Sequence, residues 1–172
     1  EIRDDNPGKE ILNLVIFSAR RLSHLVNDIL DFSRLKAGEL AVSLKPVRIY
    51  PLVKSVVNNI RPLIGSKQLR LNIKVDQNKN LAVSADENRL YQILFNLIDN
   101  AVKFTEKGTV EIDARSDGRE IEIQVKDTGI GIARQNHESI FLPYDQGDTT
   151  TSATYGGTGI GLSVVKRLTE LQ

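Results

Sequence analysis

A chain of 172 residues suits one domain, or one domain with an appendage, and a body of this size buries roughly 70% of its unfolded surface, enough for a sizeable core. Lys and Arg number 23 against 22 Asp and Glu, a net charge of +1 with no basic block or aromatic-interleaved patch, which argues against a nucleic-acid partner. There is no cysteine, which excludes disulfides, thiolate zinc sites and thiol catalysis. No apolar run approaches the about 18 residues of a membrane span, and the N-terminus lacks a basic-then-apolar signal pattern. The chain therefore reads as soluble, as a soluble piece of a membrane receptor also would.

In chain order, the first element is a helix over Glu10 to Lys36. Val15, Ser18, Leu22, Leu25, Ile29 and Phe32 recur with alternating gaps of three and four, the heptad stripe of a helix that packs against other helices. Gly38 closes it as a C-terminal cap would, and "AVSLKPVRI" reads as an extended connector into a second amphipathic helix from about Tyr50 to Ser66. A domain boundary near residues 38 to 45 follows, dividing the chain into 1–40 and 41–172. Next come a short strand, "LRLNIKV", and a helix from about Asp86 to Lys103. A strand pair, Thr109 to Arg115 and Glu120 to Lys126, then alternates apolar and polar residues around an Asp117-Gly118 turn. Helix, strand, helix, strand, strand predicts an α+β sandwich whose sheet is covered by helices on one face.

Within "NLIDNAVKFT", a helix of 3.6 residues per turn puts Asn96, Asn100 and Lys103 within about 60° of one another. Leu90, Ile93, Leu94, Leu97 and Ala101 fill a separate face. The polar side is either the solvated side of an amphipathic helix or a ligand face. An amide oxygen suits Mg²⁺, which completes its shell with water and substrate phosphates, and a lysine one turn away is a point charge for those phosphates.

A second candidate is "VKDTGIGIA". The strand ends at Asp127, and Gly129 and Gly131 permit a close approach that side chains would block. Asp127 is then either part of an ordinary Asp-Thr-Gly turn or an acceptor for an exocyclic amine such as that of adenine. The third is "YGGTGIGLSVVKRL", a glycine cluster running into a helix, where free N–H groups and the helix dipole favour an anion at Gly157, Gly159 and Gly161. It does not follow a strand and lacks the G-K-[ST] of a P-loop, which disfavours a dinucleotide fold. The long Thr- and Ser-rich segment between the two glycine clusters reads as a lid or binding loop.

Taken together, "NLIDNAVKF", "DTGIGI", "IFLPYDQGD" and "GGTGIGL" resemble the catalytic ATP-binding domain of sensor histidine kinases. That domain belongs to the GHKL superfamily shared with gyrase, MutL and heat-shock chaperone ATPases. The resemblance runs from about residue 46 onward and is nearest to the hybrid-type kinases. "ARRLSHLVNDILDFSRLKAGEL" resembles the second helix of their dimerisation and phosphotransfer hairpin. The resemblance implies a Bergerat-type fold with a mixed sheet, preceded by a coiled-coil-like helix. It implies ATP and Mg²⁺ as cofactors, with Asn100 as the metal ligand supported by Asn96, and Lys103 on phosphate. Asp127 would bind the adenine amine in a pocket shaped by Gly129 and Gly131. Gly157, Gly159 and Gly161 would hold phosphates at the helix start, and Thr158 and Leu162 would also bind the nucleotide. Phe104 would pack near the nucleotide, and Phe141 at the lid's base or in the core.

The implied activity is transfer of the ATP γ-phosphoryl group to a histidine outside this chain. Implied partners are the phosphoacceptor helix of the parent kinase, a response regulator receiver domain and a second copy through the N-terminal helix. The implied setting is a cytoplasmic domain, with membrane anchoring of the parent left open. Two departures accompany it. His24, within the apparent second hairpin helix, and His137, in the lid region, lack the acidic residue and Leu-Arg-Thr-Pro that follow the family's phosphoacceptor; His24 reads as a helix-surface or partly packed residue. The family pattern also continues past "LTELQ" into further strands, which predicts that this chain is a fragment. A regulatory pseudokinase without transfer activity and a GHKL-type ATPase stay open as alternatives, although the ATPase lacks a convincing water-activating glutamate on the asparagine helix.

Overall fold

The computed structural model describes residues 40–65, 67–77, 79–143 and 159–172, together with Val15, Ala19, Leu22, Val26, Leu30 and Ser33. Two compact units divide the chain, Glu1–Leu40 and Ala41–Gln172. In the first, Val15, Ala19, Leu22, Val26, Leu30 and Ser33 are helical and Leu40 is not, and Val15, Leu22, Val26 and Leu30 are exposed. Of the heptad stripe, Ser18, Leu25, Ile29 and Phe32 lie outside the described residues, as does His24.

The second unit runs β1 (Lys45–Arg48), α1 (Ile49–Ile64), β2 (Gln68–Ile73), β3 (Ala82–Ala85), α2 (Glu87–Phe104), β4 (Lys107–Ser116) and β5 (Ile121–Asp127). Two 3-10 turns follow, Arg134–Asn136 and Ser139–Phe141, and then α3 (Gly161–Glu170). The main sheet has the order β2-β4-β5 and is mixed: β2 pairs parallel with β4, and β4 antiparallel with β5. The β4–β5 hairpin turns where Asp117 and Gly118 placed it, with Gly118 at φ 93 and Asp117 Oδ1 accepting from the N–H groups of Arg119 and Glu120. The connector before α1 is extended, as expected, and part of it is also paired. Its Lys45–Arg48 stretch pairs antiparallel with Ala82–Ala85 in a separate two-stranded sheet. Two four-residue strands, the first containing Pro46, carry too little alternation to stand out as strands in the sequence.

One face of the main sheet forms the core. Val110, Ile112 and Ala114 of β4 are buried, while Glu111, Asp113 and Arg115 alternate on the other side. Over the buried face lie Leu52, Val53, Val56, Val57 and Ile60 of α1, and Leu90, Leu94, Ile98, Ala101 and Val102 of α2. Both sets repeat at helical spacing, and their shared cluster puts the helices on one face, as expected. Within α2, Leu97 keeps partial exposure, whereas Ile98 and Val102 are buried.

The start of α2 is fixed by Asp86. Its Oδ1 accepts from the N–H groups of Asn88 (3.1 Å) and Arg89 (3.3 Å), and its Oδ2 from Ser43 N–H at 3.0 Å. The Ser43 bond chiefly holds the Asp86 carboxyl below its ordinary range, against an opposing push from burial. Because the folded value lies below the unfolded one, this stabilisation is fully present above the unfolded value and is lost as the pH falls through the folded one. Asp86→Ala is therefore expected to destabilise the protein by about 1 kcal/mol at pH 7, the usual effect of losing an N-cap. The difference from the parent should shrink below about pH 4. Denaturant melts of both proteins at pH 7 and pH 3 check this; an equal difference at the two pH values would show that the charge contributes nothing.

Candidate functional site

The site grows from α2, whose apolar face is committed to the core and whose other face is left for something else. Asn96, Asn100 and Lys103 are all partly buried on it. The Asn96 Nδ2 donor is buried without a hydrogen-bond partner among the described residues, an arrangement that costs free energy unless a ligand or water completes it. Against this amide lies the start of α3: a Cβ on Gly161 would sit 3.7 Å from Asn96 Cγ and Oδ1. That is ordinary contact, so the amide and the helix start meet closely without requiring glycine there. Among the described residues the α3 N-terminus has no side-chain cap, and the first N–H groups of a helix suit an anion. Gly159, just before it, holds φ 68, and Leu162 is partly buried. Gly157 and Thr158 lie outside the described residues.

At the other end of α2, Lys103 Nζ stands 4.8 Å from the centroid of the Phe104 ring. Here the helix meets the turn that follows β5. Asp127, exposed and paired in register with Val110, accepts the Gly129 N–H on Oδ1 at 2.9 Å. Gly129 is required by its surroundings: an added Cβ would run into the Phe104 carbonyl and lie 2.8 Å from Thr105 Oγ1 and 2.9 Å from Asp127 Oδ1. The next residue, Ile130, donates its N–H to that same Phe104 carbonyl at 3.3 Å. Gly131 sits at φ 69 with open space where a side chain would be.

The structure thus joins Asn96 to Gly161, and Phe104 to the Asp127–Gly129 turn, with Asn100 and Lys103 on the helix between. Phe141 is 37% exposed, which answers its open alternative against the buried core. It is not alone, since Ile130, Ile132 and Leu142 also expose apolar surface. His137 is exposed, with Nε2 3.1 Å from the Ile132 carbonyl oxygen. Sequence reasoning missed Thr105, which is fully buried with its hydroxyl unpaired among the described residues. Its signal was position alone, as the residue closing the asparagine helix.

Among the described residues no cluster of three His, Cys, Asp or Glu could hold a metal, so a cation here would rely on amide oxygens and on the oxygens of a bound phosphate. An open cleft of about 400 Å³ lies elsewhere, beside Arg61, Gly65, Leu69 and Asn72, without an amide face or glycine turn. No described helix is long and apolar enough to cross a membrane.

Residues 85–172 match the family described as histidine kinase-, DNA gyrase B- and HSP90-like ATPase, and the chain belongs to that family. It is 39% identical to the autoinducer 2 sensor kinase/phosphatase LuxQ of Vibrio vulnificus (strain YJ016), over 98% of this chain and 20% of that protein. It is also 39% identical to the circadian input-output histidine kinase CikA of Synechococcus elongatus, over 95% of this chain and 22% of that protein. The chain therefore spans about a fifth of the length of these relatives. Among solved structures, full-length ShkA in complex with AMPPNP superposes with a TM-score of 0.74 at 35% identity, covering 98% of this chain and 35% of that one. The catalytic domain of the histidine kinase ThkA gives 0.65 at 27% identity, covering 74% and 80%.

Proposed function

We propose that this chain is the ATP-binding catalytic part of a hybrid-type sensor histidine kinase and delivers the γ-phosphoryl group of ATP to a histidine outside the chain. The observation that carries this reading is one helix, α2, meeting an uncapped helix start at Asn96 and a glycine turn at Phe104. Asp127 accepts from the adenine amine, with Gly129 and Gly131 leaving room for the base and Phe104 packing beside it. The α3 start, with Gly157, Thr158, Gly159, Gly161 and Leu162, holds the phosphates. Lys103 reaches the same phosphates as a point charge.

A Mg²⁺ would be held by the amide oxygens of Asn100 and Asn96 together with phosphate oxygens, and the buried Asn96 Nδ2, which has no partner among the described residues, is a donor suited to a phosphate oxygen or a water. Once bound, that ion neutralises phosphate charge. The chain's own contribution is to orient the triphosphate so that an imidazole nitrogen can attack the γ-phosphorus in line. The new N–P bond forms as the bond to the β-bridging oxygen breaks, ADP leaves and the imidazole proton passes to solvent.

The nucleophile belongs to a first hairpin helix that pairs with residues 1–40, in a homodimer of a parent whose phosphoryl group passes on to a response regulator receiver domain. Residues 41–172 act as the catalytic domain, on the cytoplasmic side where ATP is available. The test is radiolabelled ATP with the 172-residue chain alone, then with the parent hairpin added. Label is expected only on the hairpin, and it should be labile to acid as phosphohistidine is. Acid-labile label on this chain alone would place the acceptor at His24 or His137, and no label on the hairpin would leave a nucleotide-binding module without transfer activity.

A further inference from the structure

Lys67 stands outside the site, in the short link between α1 and β2. Its own N–H donates to the Ile64 carbonyl at 2.9 Å, closing α1. Its side chain, 22% exposed, turns the other way: Nζ lies 3.0 Å from the Val102 carbonyl oxygen, 3.0 Å from that of Lys103 and 3.4 Å from that of Thr105. The Glu106 carboxylate is a fourth neighbour at 3.0 Å. The sheet register explains the meeting. Gln68 pairs with Lys107 in the parallel β2–β4 ladder, so the residues just before them, Lys67 and Glu106, face each other.

The last carbonyls of a helix have no donor within it, and an ammonium there also complements the helix dipole. In this terminal turn the acceptors are divided between two donors. Lys67 takes the carbonyls of Val102, Lys103 and Thr105, and the one between them, Phe104, takes the N–H of Ile130. One side of the turn is thus gripped by Lys67, and the other receives the Gly129–Ile130 turn, whose Gly129 N–H holds Asp127 Oδ1.

We propose that Lys67 is a positioning residue for the nucleotide. By fixing the C-terminal turn of α2 it fixes the Phe104 carbonyl, through that the Gly129–Ile130 turn, and so the direction of the Asp127 carboxylate. The same grip sets the base of Lys103. Lys67 does not touch the nucleotide, and the inference rests on the reading of Asp127 as the base acceptor.

Geometric errors far from a reacting group reduce function by up to about 100-fold, and a loosened terminal turn is a partial error. Lys67→Gln in the full 172-residue chain should therefore weaken ATP binding by about tenfold, measured by calorimetry well below its melting temperature. Its preference for ATP over GTP should fall as well. Lys67→Arg keeps the charge but presents a planar fork suited to fewer converging carbonyls, and should weaken binding by about threefold while shifting the Gly129 and Ile130 amide resonances. Glu106→Gln removes only the exposed arm and should leave affinity unchanged.

A role in stability alone would lower the melting temperature of Lys67→Gln yet leave the folded protein's affinity within about twofold of the parent, and that result overturns the proposal. If Lys67→Gln does not melt cooperatively, Lys67→Arg decides: unchanged affinity with unchanged Gly129 and Ile130 resonances overturns it equally. Asp127→Ala, run in parallel, separates the two levels. Normal ATP binding by that variant removes the adenine reading and this inference with it. Lost binding there with none lost at Lys67 removes the inference only.

Discussion

Asp127→Ala is expected to weaken ATP binding by about 10- to 100-fold, the equivalent of a charged hydrogen bond worth about 1.5 to 3 kcal/mol. The preference for ATP over GTP should collapse with it. Guanine presents a carbonyl where adenine presents an amine, so an intact carboxylate would face another acceptor, and mismatches of this kind reach about 10⁴-fold. Asp127 lies at an exposed strand end, its Oδ1 engaged by Gly129 N–H and its other oxygen without a partner among the described residues. The substitution therefore removes an acceptor without opening a cavity, and the variant should melt near the parent. Competition titrations with ATP and GTP check it. Equal affinities in the parent chain, or undiminished ATP binding by Asp127→Ala, would take Asp127 out of the site.

Asn100→Ala should separate the metal from the nucleotide. Asn100 is not among the buried residues of α2, so alanine, the best helix former, should leave the fold intact. Binding of ATP with magnesium should fall by about 10- to 100-fold, while binding without magnesium stays close to the parent's. Titrations with and without the metal are the measurement. If the variant keeps the parent's magnesium effect, Asn100 is a surface amide and the cation belongs elsewhere.

What could be read ahead of the structure follows from how local each signal is. The α2 face needed only helical periodicity, and the β4–β5 turn only the Asp117-Gly118 pair, because both are set by residues a few positions apart. The β1–β3 pair was hidden because its strands are short and their partners lie far apart in the chain. Thr105 and Lys67 were hidden for a related reason. Their roles depend on the Gly129 turn and the α2 carbonyls, contacts that exist only once β2, β4 and α2 have assembled. A lysine in a connector looks like any solvated charge until the helix end it reaches is known.

The parallel pairing of β2 with β4 also bears on the order in which the chain can assemble. The β4–β5 hairpin closes over a short turn, an event on the scale of about 1 to 10 μs. The β2–β4 ladder instead has to gather β3 and all of α2 into the loop it closes. The entropy lost in closing a loop rises only slowly with its length, about 0.6 kcal/mol for each doubling, but it falls due before the parallel hydrogen bonds return anything. Non-local strand pairing of this kind slows folding. The helix that carries the amide face is the span that crossover must bridge, so the local β4–β5 hairpin can close before the C-terminal turn of α2 is held between Lys67 and the Gly129–Ile130 turn.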